Sequence, residues 1–211
     1  MIEVLLKGLG VGLAVAAPVG PIGLLCIKRT ISDGRAAGLA TGLGAATADG
    51  VYGFMVAAGF AATGLLVSYA DPMAVGGGLL IAWLGILSIR AFVRKHREGT
   101  MAAPLKSRGV LSAFATTFAL TISNPMTILA FVALIAGLGA ASAASASAPY
   151  VLVLGVFLGS ALWWLFLVHI AIIARSRLRE EHTRWLDLVS GGVLLGWGLW
   201  IVVGALPKFM A

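Results

Sequence analysis

Six stretches of the chain, at about 4–27, 36–60, 73–93, 110–137, 151–174 and 185–206, are almost wholly apolar, and short polar segments divide them. A helix needs about 20 apolar residues to cross roughly 30 Å of hydrocarbon. Only helices and closed barrels satisfy their own backbone groups in that medium. The pattern predicts an all-α, polytopic membrane protein with six transmembrane helices in one domain, residues 1–211. Two stretches overrun a single crossing. Residues 36–69 hold one charge, Asp49, and as one helix would reach about 50 Å. Residues 110–148 hold none. The excess must tilt, break or fold back into the membrane, so five spans with one re-entrant piece is the competing topology. Ala14-Val15-Ala16 imitates a signal-peptide cleavage site. However, Pro18 follows at once and the apolar run continues to Ile27, which favours a retained first span.

Composition agrees with the pattern. Hydrophobic residues make up 60% of the chain and charged ones 11%, against about 25% charged in soluble domains. Net charge is +7, yet thirteen of the fifteen Lys and Arg residues fall into three clusters, at 28–35, 90–108 and 175–184. These clusters follow the first, third and fifth stretches, whereas the outer loops carry only Asp71, and the Ala/Ser tract Ala140–Ala148 reads as a flexible outer loop. The asymmetry places the basic loops in the cytoplasm and both termini outside. It is the signature of a membrane protein, with lipid as its surroundings, and not of a nucleic-acid binder. Cys26 is the single cysteine, which excludes an internal disulfide and a thiol-redox pair.

Two interruptions stand at matching places in the two halves, about 1–108 and 109–211. Pro18-Val19-Gly20-Pro21 breaks the first stretch, and Ser123-Asn124-Pro125 breaks the fourth. Proline removes an amide donor and clashes with the preceding turn. Pro21 suits the first turn of a new half-helix, whose free amides around Ile22 would favour a carboxylate. With three spans per half the second half must run in the opposite sense, so the architecture reads as a 3+3 inverted repeat whose breaks meet near the midplane. The competing interpretations are a packing kink at the first break and an Asn that merely satisfies freed backbone at the second.

Asp49 is the acidic residue deepest in an apolar stretch. It lies about 20 Å in from the nearest basic loop. A charge at that depth is costly, so such residues face the interior and commonly serve transport. Asp49 could pair with a substrate ammonium, carry a coupling proton, or simply bridge helices in its protonated form; the sequence does not choose. His169 could relay protons but fits an interfacial position better. Trp163 and Trp164 lie mid-span, where one could line a cavity. The glycines Gly38, Gly42, Gly44, Gly50, Gly53 and Gly59 read as close helix packing. Nothing points to an enzyme or a cofactor: the chain has no phosphate-binding loop, no metal-ligand spacing and no nucleophile motif.

Together, Pro18-Val19-Gly20-Pro21, Arg29, the run Gly34–Leu39, the run Gly42–Asp49 and Asn124-Pro125 resemble the lysine-exporter (LysE/RhtB-type) translocators along essentially the whole chain. The resemblance implies a bacterial inner-membrane exporter of amino acids or related zwitterions, driven by an ion gradient, with a homodimer as the usual assembly. Its motif positions fall on Pro18, Gly20, Pro21, Asp49, Asn124 and Pro125. Ile22 and Met126 depart from it, because many members carry polar residues there, so a basic substrate does not follow from the family's name. Metal-ion efflux on the same scaffold and a non-transporting assembly subunit are the alternatives.

Overall fold

The computed structural model describes residues 1–18, 20–57, 69–98, 109–124, 127, 130–131, 148–177 and 180–210, and their regular structure is entirely helical. In chain order the helices are α1 (Ile2–Ala16), α2 (Pro21–Asp33), α3 (Arg35–Ala57), α4 (Ala70–Glu98), α5 (Val110–Ile122), α6 (Ala148–Arg177) and α7 (Glu180–Met210). Three of them, α4, α6 and α7, are long and apolar enough to cross a bilayer, and α1 with α2 would make a fourth crossing if taken as one broken span. The surplus of the stretches 36–69 and 110–148 lies largely outside the described residues, as do Gly59, Pro125 and most of the Ala/Ser tract.

The first apolar stretch is not one helix. The axes of α1 and α2 diverge by 83°. Gly20 is extended at φ −101°, ψ −159°, and Pro21 opens α2 at its first position. That is the geometry proline imposes when it starts a helix and cannot continue one. In the fourth stretch α5 stops at Ile122, and the amides of Ser123 and Asn124 turn back to Ala119 O and Thr121 O at 3.1 and 3.2 Å. Tyr52 of α3 donates its phenol proton to the Ile122 carbonyl. A carbonyl freed by the break is thereby satisfied from a neighbouring helix.

Polarity is arranged inside out. Many large exposed side chains are apolar, among them Leu111, Trp200, Val203, Leu79 and Phe166, while Arg29, Thr41, Asp49, Thr117, Ser160 and Asp187 are buried. This suits a hydrocarbon solvent, which has nothing to offer a polar group. Helix α1 lies on α6; α3 lies on both α5 and α6; α4 lies along α7; and α2 touches α3, α6 and α7. Glycine makes the closest seams possible. Gly78 and Gly85 of α4 face Gly198 and Gly191 of α7, and a Cβ at Gly198 would stand 2.5 Å from both Gly78 O and Ala82 N. Gly8 of α1 meets Gly155 of α6 in the same manner.

Lys28 and Arg29 depart from the loop position expected of a basic cluster. Helix α2 runs on to Asp33 and carries both into the bundle. Arg29 is only 4% exposed. Its Nη1 lies 2.9 Å from Thr117 Oγ1, 3.0 Å from Ala113 O and 3.2 Å from Thr41 Oγ1. Both threonine hydroxyls donate their own proton to the carbonyl four residues earlier, which turns their lone pairs toward the guanidinium. Lys28 donates to Ser88 Oγ at 2.5 Å and pairs with Asp187 at 3.1 Å. Arg29 therefore fastens α2 to α3 and α5, and Lys28 fastens it to α4 and α7.

Two stability outcomes follow. Gly198→Ala should lower stability by about 1–3 kcal/mol, because backbone stands where the methyl must go. Gly192→Ala in the same helix, with open space around it, should leave the melting temperature in detergent unchanged. Lys28→Met leaves the Asp187 carboxylate buried beside an apolar group and should cost about 3–5 kcal/mol. The double variant Lys28→Met, Asp187→Leu should regain most of that loss in the same thermal assay.

Candidate functional site

Helix α1 ends one turn before α2 begins, and the two interruptions predicted from the sequence open onto one cavity of about 740 Å³. Pro18, Gly20, Pro21 and Ile22 line it from the first break, and Asn124 and Thr127 line it from the second. Val11 and Val15 of α1, Ile81 of α4, and Trp197 and Ile201 of α7 complete the walls. The amide of Leu24 bonds Gly20 O at 3.1 Å, so the first intrahelical bond of α2 forms there. Proline lacks an N–H, which leaves the amides of Ile22 and Gly23 as the N-terminal donors that have no partner within the helix. At α1 the Ala17 amide closes on Leu13 O at 2.9 Å, and the carbonyls beyond Leu13 are the helix's C-terminal acceptors. The bend thus brings a negative helix end and a positive helix end to the same side of the cavity.

Asp49 is not among the cavity's lining residues. It is 3% exposed and accepts a hydrogen bond of 2.6 Å from Ser160 Oγ of α6. Ser160 in turn accepts one from Trp164 Nε1 at 3.1 Å. Above this chain lies α1, because a Cβ at Gly12 would stand 2.8 Å from Ser160 N. Gly8, Gly12 and Ala16 form the buried face of α1, four residues apart and so on one side of the helix. Val11 and Val15, with Gly10 and Ala14, turn another face to the cavity. Helix α1 thus packs on the Ser160 backbone with one face and lines the cavity with another.

The remaining candidates separate in the same way. Trp164 is buried and belongs to the Asp49 chain, whereas Trp163 packs on Phe166 with ring centroids 5.7 Å apart, and its Nε1 has no hydrogen-bond partner among the described residues. His169 lies on the exposed face of α6. Cys26 is fully buried with Sγ 3.7 Å from Gly38 O, in keeping with a small apolar residue. Gly42 and Gly44 of α3 sit against Trp164 and the Phe114 carbonyl. Pro125 lies outside the described residues. Among the described residues no three His, Cys, Asp or Glu side chains come together as a metal site.

Sequence reasoning missed Lys28, Arg29, Tyr52 and Asp187. The first two hold α2, and with it Pro21 and Ile22, against the bundle. Tyr52 fixes the end of α5, and its ring stacks on Phe131 at 5.5 Å, close to the second break. The one available signal was the pair of cations at 28 and 29, placed a turn or two beyond a proline that had restarted the helix.

Residues 13–204 match the family model described as LysE type translocator. The chain is also similar to a protein of Bacillus subtilis (strain 168) named "Putative amino acid efflux protein YcgF", with 27% identity over 203 residues covering 94% of each chain. No solved structure matches. The family match spans both breaks, the buried carboxylate and all of the cavity lining except Lys7, Gly10 and Val11, so the chain, a multi-pass membrane protein, belongs to the LysE type translocator family of transporters.

Proposed function

We propose that the protein exports amino acids or closely related zwitterions across the bacterial inner membrane by alternating access, coupled to a proton or ion gradient. The observation that carries this reading is the single cavity onto which both helix breaks open. A zwitterion presents a carboxylate and an ammonium close together. The N-terminal amides of α2 suit the first and the C-terminal carbonyls of α1 suit the second, with Asn124 reaching in from the second half. The similarity to a protein named for amino acid efflux agrees with this substrate class.

Packing supports an inverted 3+3 repeat. If α1, α3 and α4 correspond to α5, α6 and α7, then α1 on α6 repeats α5 on α3, and α3–α6 and α4–α7 are pairs of counterparts. The expected cytoplasmic side carries the basic clusters, with both termini outside. A homodimer would match the usual assembly of the resembling exporters.

Asp49 serves coupling and not substrate binding, because it is not among the residues that line the cavity and its carboxylate is engaged by Ser160. In the ionised state the carboxylate draws Ser160 Oγ to itself; protonated, it becomes a donor and the Ser160–Trp164 bonds must rearrange. Ser160 backbone packs directly on Gly12, so that rearrangement bears on α1 and through it on the first break. Two discrete arrangements of packed elements are what a coupling step requires.

Asp49→Asn should insert and melt like the parent protein yet lose amino-acid export from loaded cells by at least about a hundredfold, since the charge change is then abolished. Ser160→Ala should slow export about tenfold, in line with one lost hydrogen bond to a charged group. Parental efflux by the Asn variant would remove Asp49 from the mechanism.

A further inference from the structure

We infer that this cavity selects amino acids with uncharged, apolar side chains of the size of leucine or phenylalanine and turns away lysine and arginine. The inference rests on the reading of the cavity as the amino-acid site and concerns the part of the guest beyond its zwitterionic head. Six side chains from four parts of the fold form the space available to it: Val11, Val15, Ile22, Ile81, Trp197 and Ile201. Ile22, Ile81 and Ile201 are at most 9% exposed and are fixed in the core of the bundle, so the walls cannot be exchanged for polar ones by a change of rotamer. The volume of about 740 Å³ falls in the range of small-ligand sites, about 300–1,000 Å³, and leaves room for a branched or aromatic side chain.

The distribution of charge is equally one-sided. Among the described residues no carboxylate lines the cavity, and the one ionisable lining residue is a cation, Lys7. Lys7 is half-exposed and held at 2.7 Å by Glu3 of the same helix. The two buried carboxylates among the described residues are engaged elsewhere, Asp49 by Ser160 and Asp187 by Lys28 at the far part of α2. A guest ammonium or guanidinium entering these walls would lose its water and find no counter-charge. Burial of an unpaired charge is among the most unfavourable events in a protein interior. A leucine or phenylalanine side chain meets only surface that benefits from being covered. Trp197 offers its ring to the cavity from α7, a flat apolar surface that accepts aliphatic and aromatic guests alike.

Counterflow in proteoliposomes preloaded with unlabelled amino acid tests the selectivity, because it needs no imposed gradient. Labelled leucine and phenylalanine should accumulate transiently, and lysine and arginine should do so at least about tenfold more slowly. Melting temperature in detergent provides the second readout: leucine should raise it and lysine should not. Ile81→Asp places a carboxylate in the wall and should admit lysine while weakening leucine. Trp197→Ala, at a half-exposed position that tolerates truncation, should weaken phenylalanine about tenfold. Lysine carried or bound as well as leucine by the parent protein overturns this inference and leaves amino-acid export standing. Binding of leucine without lysine but no counterflow of any amino acid upholds the selectivity and overturns export. Neither binding nor counterflow overturns both.

Discussion

Two neighbouring cations on one short helix set the terms for the rest of the bundle. Helix α2 begins at a proline in the middle of the molecule and brings Lys28 and Arg29 in with it. Adjacent residues on a helix point about 100° apart, so one cation reaches α4 and α7 while the other reaches α3 and α5. An unpaired charge in such a place would be untenable. The surrounding helices therefore supply Asp187 and Ser88 on one side, and Thr41, Thr117 and the Ala113 carbonyl on the other. Four helices are thereby held to one half-helix, and the N-terminus of that half-helix is fixed at the cavity.

The serine and threonine residues in this interior act by a shared device. Thr41, Thr117 and Ser88 each send their hydroxyl proton to the carbonyl four residues back. The oxygen left facing the bundle is then an acceptor only, which is what a guanidinium or an ammonium requires. Ser160 differs in kind. Its proton goes to the Asp49 carboxylate and its lone pair takes the Trp164 indole proton, so its state follows that of the acid. The cations meet hydroxyls whose protons are given to backbone, and the carboxylate meets one whose proton is given to the acid itself.

How far the sequence reveals this depends on the range of the interaction. The apolar stretches and both interruptions are local facts of composition and proline chemistry; the helix Pro21–Asp33 begins, and the helix Val110–Ile122 ends, where those facts place them, although the first runs past its apolar stretch to Asp33. Asp49 is legible as a buried acid because nothing polar surrounds it in sequence. Its partner is not legible, since Ser160 is 111 residues away and resembles any other mid-span serine. Lys28 and Arg29 mislead for a related reason. A pair of cations after an apolar run looks like a loop, and only acceptors that lie from 12 residues away, as Thr41 does, to the far helix that carries Asp187 make burial possible. The 83° bend is legible as a break but not as an angle, because the angle is fixed by where those acceptors stand.

The separation of Asp49 from the cavity changes what the carboxylate can be for. Placed in the wall, it would hold the substrate's ammonium directly, and its charge would bias the site toward cationic guests. Outside the lining, it leaves the cavity to the helix ends and to largely apolar walls, and in the proposed coupling role it would act on a guest through α1 and not by contact. Gly12 is what lets α1 approach so closely, because a residue with any side chain would hold it away from the Ser160 backbone. The small residues Gly8, Gly12 and Ala16 form the face of α1 that packs in the bundle, while Val11 and Val15 turn bulk toward the cavity. One helix thus touches the serine that binds the acid on one face and shapes the cavity on another, and its C-terminal carbonyls end at the first break, so a shift of that contact is the step by which the proposed coupling would reach the binding space.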